Sequence, residues 1–156
     1  MRIGFVAVLF VLTFPAVVGS AAAAFPAAPH AAPAPLFAWV AADGFADPFP
    51  FGQCTWWAAY NRRVSWSGNA RDWLANARAQ GAVTSDTPTV GAIAVYRPGG
   101  QYSVYGHVAI VTAVARGSYT VSEMNAAGWG RISAREIAWP DRAVQGFIPR
   151  PAGETL

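Results

Sequence analysis

The chain has 156 residues, a mean hydropathy of +0.27 and eleven basic residues against eight acidic ones. Every basic residue is an arginine, and setting Arg2 aside with the N-terminal segment leaves ten cations against eight anions, a charge near +2. So mild a balance suits weak attraction to an anionic polymer such as a cell wall and falls short of a nucleic-acid footprint.

A short basic start, an apolar core over residues 3–18 and the small-residue tail Gly19-Ser20-Ala21-Ala22-Ala23-Ala24 read as a secretory signal peptide over residues 1–24, with an uncleaved anchor as the alternative. Residues 25–37 are almost all Ala and Pro, and the linker they begin is assigned to residues 25–47. This leader and linker inflate the hydropathy. Composition then becomes mixed and aromatic-rich, and residues 48–150 form one expected domain, with a tail over 151–156.

Within the domain, Phe49-Pro50-Phe51-Gly52 cannot propagate a helix, whereas residues 55–62 can, so Cys54 falls in a first helical turn. A second helix is expected over 69–79, with Asn69 as N-cap, Trp73, Leu74 and Ala77 on one face, and Gly81 as the stop. Strands are expected over 90–96, 107–114 and 118–125, with weaker candidates over 131–137 and 143–148. Helices followed by an antiparallel sheet make an α+β arrangement.

The link Ala115-Arg116-Gly117 predicts a three-residue hairpin turn with a G1 bulge. Val114 then faces Ser118, Ala109 faces Glu123 and His107 faces Asn125, all on one side of the sheet. His107 is diagonal to Glu123, within reach of long side chains, and the small Ala109 leaves room between them.

Cys54 is the only cysteine. In an exported chain it is a free thiol or an intermolecular bridge, and its place at a helix start favours the thiol. A lone cysteine is more often an inert small hydrophobe, and a lone histidine at a strand start is more often structural. A nucleophile needs a lowered pKa, a base and something to orient that base. His107 is the only histidine of the expected domain, since His30 lies in the linker, and Glu123 and Asn125 are the candidate orienters. The order cysteine, histidine, then acid or amide is that of papain-like enzymes.

Gly52-Gln53-Cys54-Thr55-Trp56-Trp57, Gly106-His107-Val108-Ala109 and Val121-Ser122-Glu123-Met124-Asn125 together resemble the CHAP family of cysteine, histidine-dependent amidohydrolases and peptidases, close to the short secreted proteins of the staphylococcal secretory antigen type. The resemblance extends through Gly68-Asn69-Ala70-Arg71-Asp72-Trp73 and Thr87-Pro88-Thr89-Val90-Gly91-Ala92-Ile93. It implies a papain-like α+β fold of the NlpC/P60-CHAP type, N-terminal helices on an antiparallel sheet, and a secreted hydrolase of peptidoglycan amides. Amidase and endopeptidase remain equal readings; the alternative from another class is a surface antigen or wall-binding protein with weak or no catalysis. By the resemblance, Cys54 attacks the carbonyl, His107 moves the proton, Glu123 orients His107, and Asn125 shares or replaces that task. The Cys54 amide is the expected oxyanion donor, with Gln53 in support. NlpC/P60 peptidases pair their cysteine with two histidines, which disfavours them here.

Residues 43–51, where some phage relatives carry a calcium loop, hold only two acids, too few for calcium, so no metal and no cofactor is expected. Trp56, Trp57, Trp66, Trp73 and Trp139 are core candidates, whereas Trp129, flanked by Gly128 and Gly130, is a candidate for a substrate groove. The loop over 99–105 is the other candidate wall. Peptidoglycan is the expected partner, met by a monomer without nucleic acid and, once the leader is cleaved, without membrane.

Overall fold

The computed structural model describes residues 47–153. The leader expected over 1–24 and the linker up to residue 46 lie outside these described residues, as do residues 154–156. Asp47, assigned at the outset to the linker, is buried and accepts the Phe49 N–H at 2.9 Å.

Gly52, at φ 91°, breaks the incoming chain, and α1 runs from Cys54–Asn61 with extended Gln53 as its N-cap residue. Cys54, Thr55, Trp56, Ala58 and Ala59 are its buried residues. Arg62 ends the helix in an extended conformation, and its buried guanidinium donates to the carbonyls of Gly91, Ile148 and Pro149. Buried carbonyls left by neighbouring segments thereby find a donor.

The second helix begins differently from expectation. Asn69 makes no side-chain cap; its carbonyl accepts the Asp72 N–H at 2.9 Å, and a 3-10 turn over Ala70–Asp72 leads into α2, Trp73–Ala79. Gly81, at φ 82°, closes it as the sequence suggests. Trp73 is fully buried, with Phe49 at 5.0 Å and Trp66 at 5.8 Å between ring centroids.

Five strands follow: β1 Ile93–Tyr96, β2 His107–Ala115, β3 Ser118–Met124, β4 Ile132–Ala138 and β5 Val144–Ile148. They form one antiparallel sheet in the order β4-β3-β2-β1-β5. The first strand starts three residues later than expected, because Gly91, at φ 83°, lies in a turn closed from the Ala92 N–H to the Thr89 carbonyl. Ile93, Val95, Val108, Ile110 and Met124 pack with the helices on one face. Alternation sends Ala94, Tyr96, Ala109, Val111, Tyr119 and Val121 to the other. Among the described residues no helix is long and apolar enough to cross a membrane.

The hairpin corrects the predicted turn while keeping its consequence. Ala115 pairs with Ser118 and Val114 with Tyr119, so only Arg116 and Gly117 form the turn. One extra residue, Thr112, then bulges from β2 between Val111 and Ala113 and shifts the register by one. Beyond it, Val111 faces Val121 and Ile110 faces Ser122, and counting on along both strands sets Ala109 level with Glu123.

Gly106 sets the entry into β2. At φ 74°, a Cβ there would lie 2.7 Å from the Tyr96 carbonyl oxygen and 2.9 Å from the Arg71 Cα, both backbone atoms. Gly106→Ala is expected to lower stability by about 1–3 kcal/mol through backbone strain alone, measurable by urea denaturation; an unchanged midpoint would show that the entry can relax.

Candidate active site

Two elements bring the candidate residues together. Helix α1 supplies Cys54 from its first turn, and the first residue of β2 supplies His107. Both side chains are buried and line one cleft, and each is the partner that favours the other's charged form. On the far side of the ring, His107 Nε2 lies 2.9 Å from Glu123 Oε2. Because Nε2 is committed to the carboxylate, Nδ1 is the nitrogen left for the thiol.

Burial opposes charge on all three groups, and their partners reverse that tendency. For Cys54, burial raises the pKa, but the His107 hydrogen bond and charge, with the N–H groups of Val108 and Thr55, bring it below the ordinary thiol value. Burial would lower the His107 pKa, yet its bonds to Cys54 and Glu123 push it up to about 9. Glu123, only 1% exposed, would be raised by burial; His107 and then Arg135 hold it below the usual carboxylate range. Each shift favours the charged form, so the partners pull toward thiolate, imidazolium and carboxylate in a row.

The signs of the linked stability terms follow. Imidazolium stabilisation is fully present below pH 6.5 and is lost as pH rises through about 9. Thiolate stabilisation grows as pH rises toward the ordinary thiol value of 9.0, so the two offset each other in that window. Glu123 works at the acid end, where stability falls as pH drops through its lowered pKa.

Asn125 departs from the expected role. Strand β3 ends at Met124, and Asn125 turns out of line at φ 66°. Its amide donates to Gln53 Oε1 at 3.2 Å rather than to His107. In this geometry Glu123 meets the imidazole, and Asn125 holds the Gln53 side chain beside Cys54.

Trp129 also departs from expectation. It is exposed, and its indole lies against Gly52, where an added Cβ would come within 2.7 Å of the ring. The cleft over the thiol, about 690 Å³, is instead walled by Phe49, Asn69, Gln101, Tyr102, Ser103 and Tyr105, with Gln53 and Asn125 also on its surface. The loop expected as a wall thus lines the cleft, and the tryptophan stands beside it. Arg71 anchors that loop, its N–H and guanidinium donating to the Tyr105 and Val104 carbonyls.

Two residues beside His107 were not singled out from the sequence. Arg135 Nε donates to Glu123 Oε1 at 2.7 Å, and Tyr102 stacks on the imidazole with 5.2 Å between centroids at 12°. The register holds the signal for Arg135: Val121 faces Arg135 on β4 and Glu123 faces Ser133, so Arg135 is diagonal to Glu123 on the same side. Among the described residues, no group of three or more His, Cys, Asp or Glu side chains could hold a metal ion.

Helices carrying a free cysteine against an antiparallel sheet carrying a histidine and its carboxylate define a papain-like cysteine–histidine domain. The chain belongs to the CHAP domain family, whose model matches residues 44–125. It is 43% identical over 115 residues to a Streptococcus mutans serotype c protein that carries a provisional hydrolase name, covering 69% of this chain and 46% of that one. It is 37% identical over 102 residues to the Staphylococcus aureus secretory antigen SsaA, covering 62% of this chain and 38% of that one. A crystal structure of an N-acetylmuramoyl-L-alanine amidase from Staphylococcus aureus matches with a TM-score of 0.57 at 33% identity, over 67% of this chain and 32% of that one. The chain thus spans less than half the length of each of these relatives.

The charge state has a direct reading. The His107 imidazole, followed by NMR between pH 5 and 10, should titrate near 9, and in Cys54→Ser the midpoint should fall by about one unit as the anionic partner is lost. A wild-type midpoint below 7 would contradict the ion pair.

Proposed function

We propose that this chain is an exported peptidoglycan hydrolase that cleaves cell-wall amide bonds by a cysteine nucleophile, as an N-acetylmuramoyl-L-alanine amidase or a peptide endopeptidase. One observation carries the reading: a free thiol at a helix start, its pKa lowered by an imidazole that also meets a buried carboxylate, beneath an open cleft. The amidase and secretory antigen among its relatives support the wall as the place of action. The proposed organisation keeps the leader over 1–24 and the linker beyond it, with a monomeric domain over 48–150.

In the proposed reaction the Cys54 thiolate adds to the amide carbonyl while its partner proton already resides on His107. The oxyanion meets the backbone N–H of Cys54 at the start of α1, where the helix dipole favours negative charge. Gln53 is suited to assist: its carbonyl end is occupied by Asn125, which leaves the NH2 end as donor. His107 then protonates the leaving amine, the C–N bond breaks, and a thioester to Cys54 remains. Water, deprotonated by the now neutral imidazole, hydrolyses that thioester and returns the pair to its starting state. Glu123 orients the ring and stabilises its cationic form.

The cleft bears on substrate character. Its charged lining groups are Cys54, His107, Glu123 and Arg135, each engaged with the next in the row, and the rest of its surface is neutral. Such a surface suits neutral, backbone-rich peptide around the scissile bond.

A wall-binding antigen without catalysis is the second reading, favoured by the likeness to SsaA. Purified sacculi incubated with the mature protein, Cys54→Ser and His107→Ala separate the two. Soluble fragments identified by mass spectrometry are expected from the wild type alone, and their new termini name the bond. Binding without fragments from all three would sink the hydrolase. Glu123→Gln should lose roughly 10²-fold or more in rate, the scale of an impaired acid–base partner, because Asn125 is committed to Gln53.

A further inference from the structure

Counting charges along the buried row exposes a deficit. Cys54 as thiolate, His107 as imidazolium and Glu123 as carboxylate sum to one uncompensated negative charge in a site where Glu123 is 1% exposed. Buried charge without a partner is unfavourable, and the cheapest relief is uptake of one proton from solvent by the row. Taken up by Cys54, that proton would turn the thiolate into an unreactive thiol beside the imidazolium–carboxylate pair.

Arg135 removes that escape. Its guanidinium, always charged, donates through Nε to Glu123 Oε1 at 2.7 Å and through Nη2 to Oε2 at 3.4 Å. The row becomes thiolate, imidazolium, carboxylate and guanidinium, alternating in sign and summing to zero. The same Nη2 also donates to the Tyr102 hydroxyl, and the Tyr102 ring is the one stacked on His107. Arg135 lies over the rings of Tyr102 at 5.6 Å and Tyr96 at 5.9 Å. One side chain thus holds the carboxylate at the edge of the imidazole and the tyrosine on its face. The groups facing Glu123 are His107 from β2, Arg135 from β4 and Tyr102 from the cleft loop.

We propose that Arg135 is a positioning residue of the candidate active site, keeping the Cys54–His107 pair charge-separated through Glu123 and aligning the imidazole through Tyr102. The inference rests on reading Cys54 and His107 as the reactive pair. Its test needs no peptidoglycan, so it can fail separately from the proposed substrate.

Cys54 is the only thiol in the chain, so the rate of its alkylation by iodoacetamide against pH reports the thiolate directly. Wild type, Arg135→Met, Arg135→Lys, Tyr102→Phe and Glu123→Gln would be compared on full-length protein, with circular dichroism to establish folding. The wild-type profile should rise below the ordinary thiol range. In Arg135→Met the midpoint should move up by about one pH unit, so that alkylation at pH 6 slows about tenfold. Arg135→Lys, which keeps the charge but not the fork, should recover part of that shift. Tyr102→Phe, which keeps the ring and loses the hydroxyl, should shift less than Arg135→Met. Adding Arg135→Met to Glu123→Gln should produce no comparable further shift, since the carboxylate to be neutralised is gone. If Arg135→Met does not fold, Arg135→Lys decides. A wild-type profile in any folded Arg135 variant, or equal shifts with and without the Glu123 carboxylate, would overturn the proposal.

Discussion

A carboxylate that is ionised although almost fully buried is the constraint around which this domain is arranged. Glu123 stays charged because cations meet it on both oxygens, His107 on one and Arg135 on the other. Each partner comes from a different strand, so the demand is met only when β2, β3 and β4 are paired in one register. The sheet is therefore more than a scaffold beneath the site. Its pairing supplies the neutralisation without which the carboxylate would take up a proton.

The thiol depends on this arrangement at one remove. Helix α1 contributes its start, a short helix's modest positive end, and the Thr55 N–H near the sulfur, while the Val108 N–H comes from β2. The larger influence is the imidazolium, whose charge in turn depends on Glu123. Helix and sheet thus contribute unequally: the helix sets where the sulfur is, and the sheet sets its ionisation. Arg62, reaching from the end of α1 to carbonyls around β1 and β5, fastens one to the other.

Local chemistry made much of this legible in the sequence. A glycine break and a helix-forming run place Cys54, and turn residues bound the strands of His107 and Glu123, but the register that sets these two on one face depends on a bulge at Thr112 that the turn residues did not announce. What escaped was non-local. Asn125 lies one residue beyond the end of β3, and its left-handed backbone sends the amide to Gln53, a partner 72 positions away in sequence. Arg135 sits on a strand whose alternation of exposed and half-buried residues gives a weak signal, and its importance emerges only once β4 is paired with β3. Tyr102 belongs to a loop with no periodicity, and its stacking on His107 depends on how that loop folds back. Trp129 suggested a groove by composition, but a glycine at Gly52 gives its ring a nearer resting place.

The bulge at Thr112 has a consequence for how this hairpin can vary. A two-residue tip followed by a bulge, and a three-residue tip without one, deliver the same alignment of Ala109 with Glu123, because each adds one residue to the same side of the count. The distal hairpin and the reactive end are thereby uncoupled. Length can be traded between tip and bulge while the parity that keeps His107 and Glu123 on one face is conserved, so two sequences with different turns can carry superimposable chemistry.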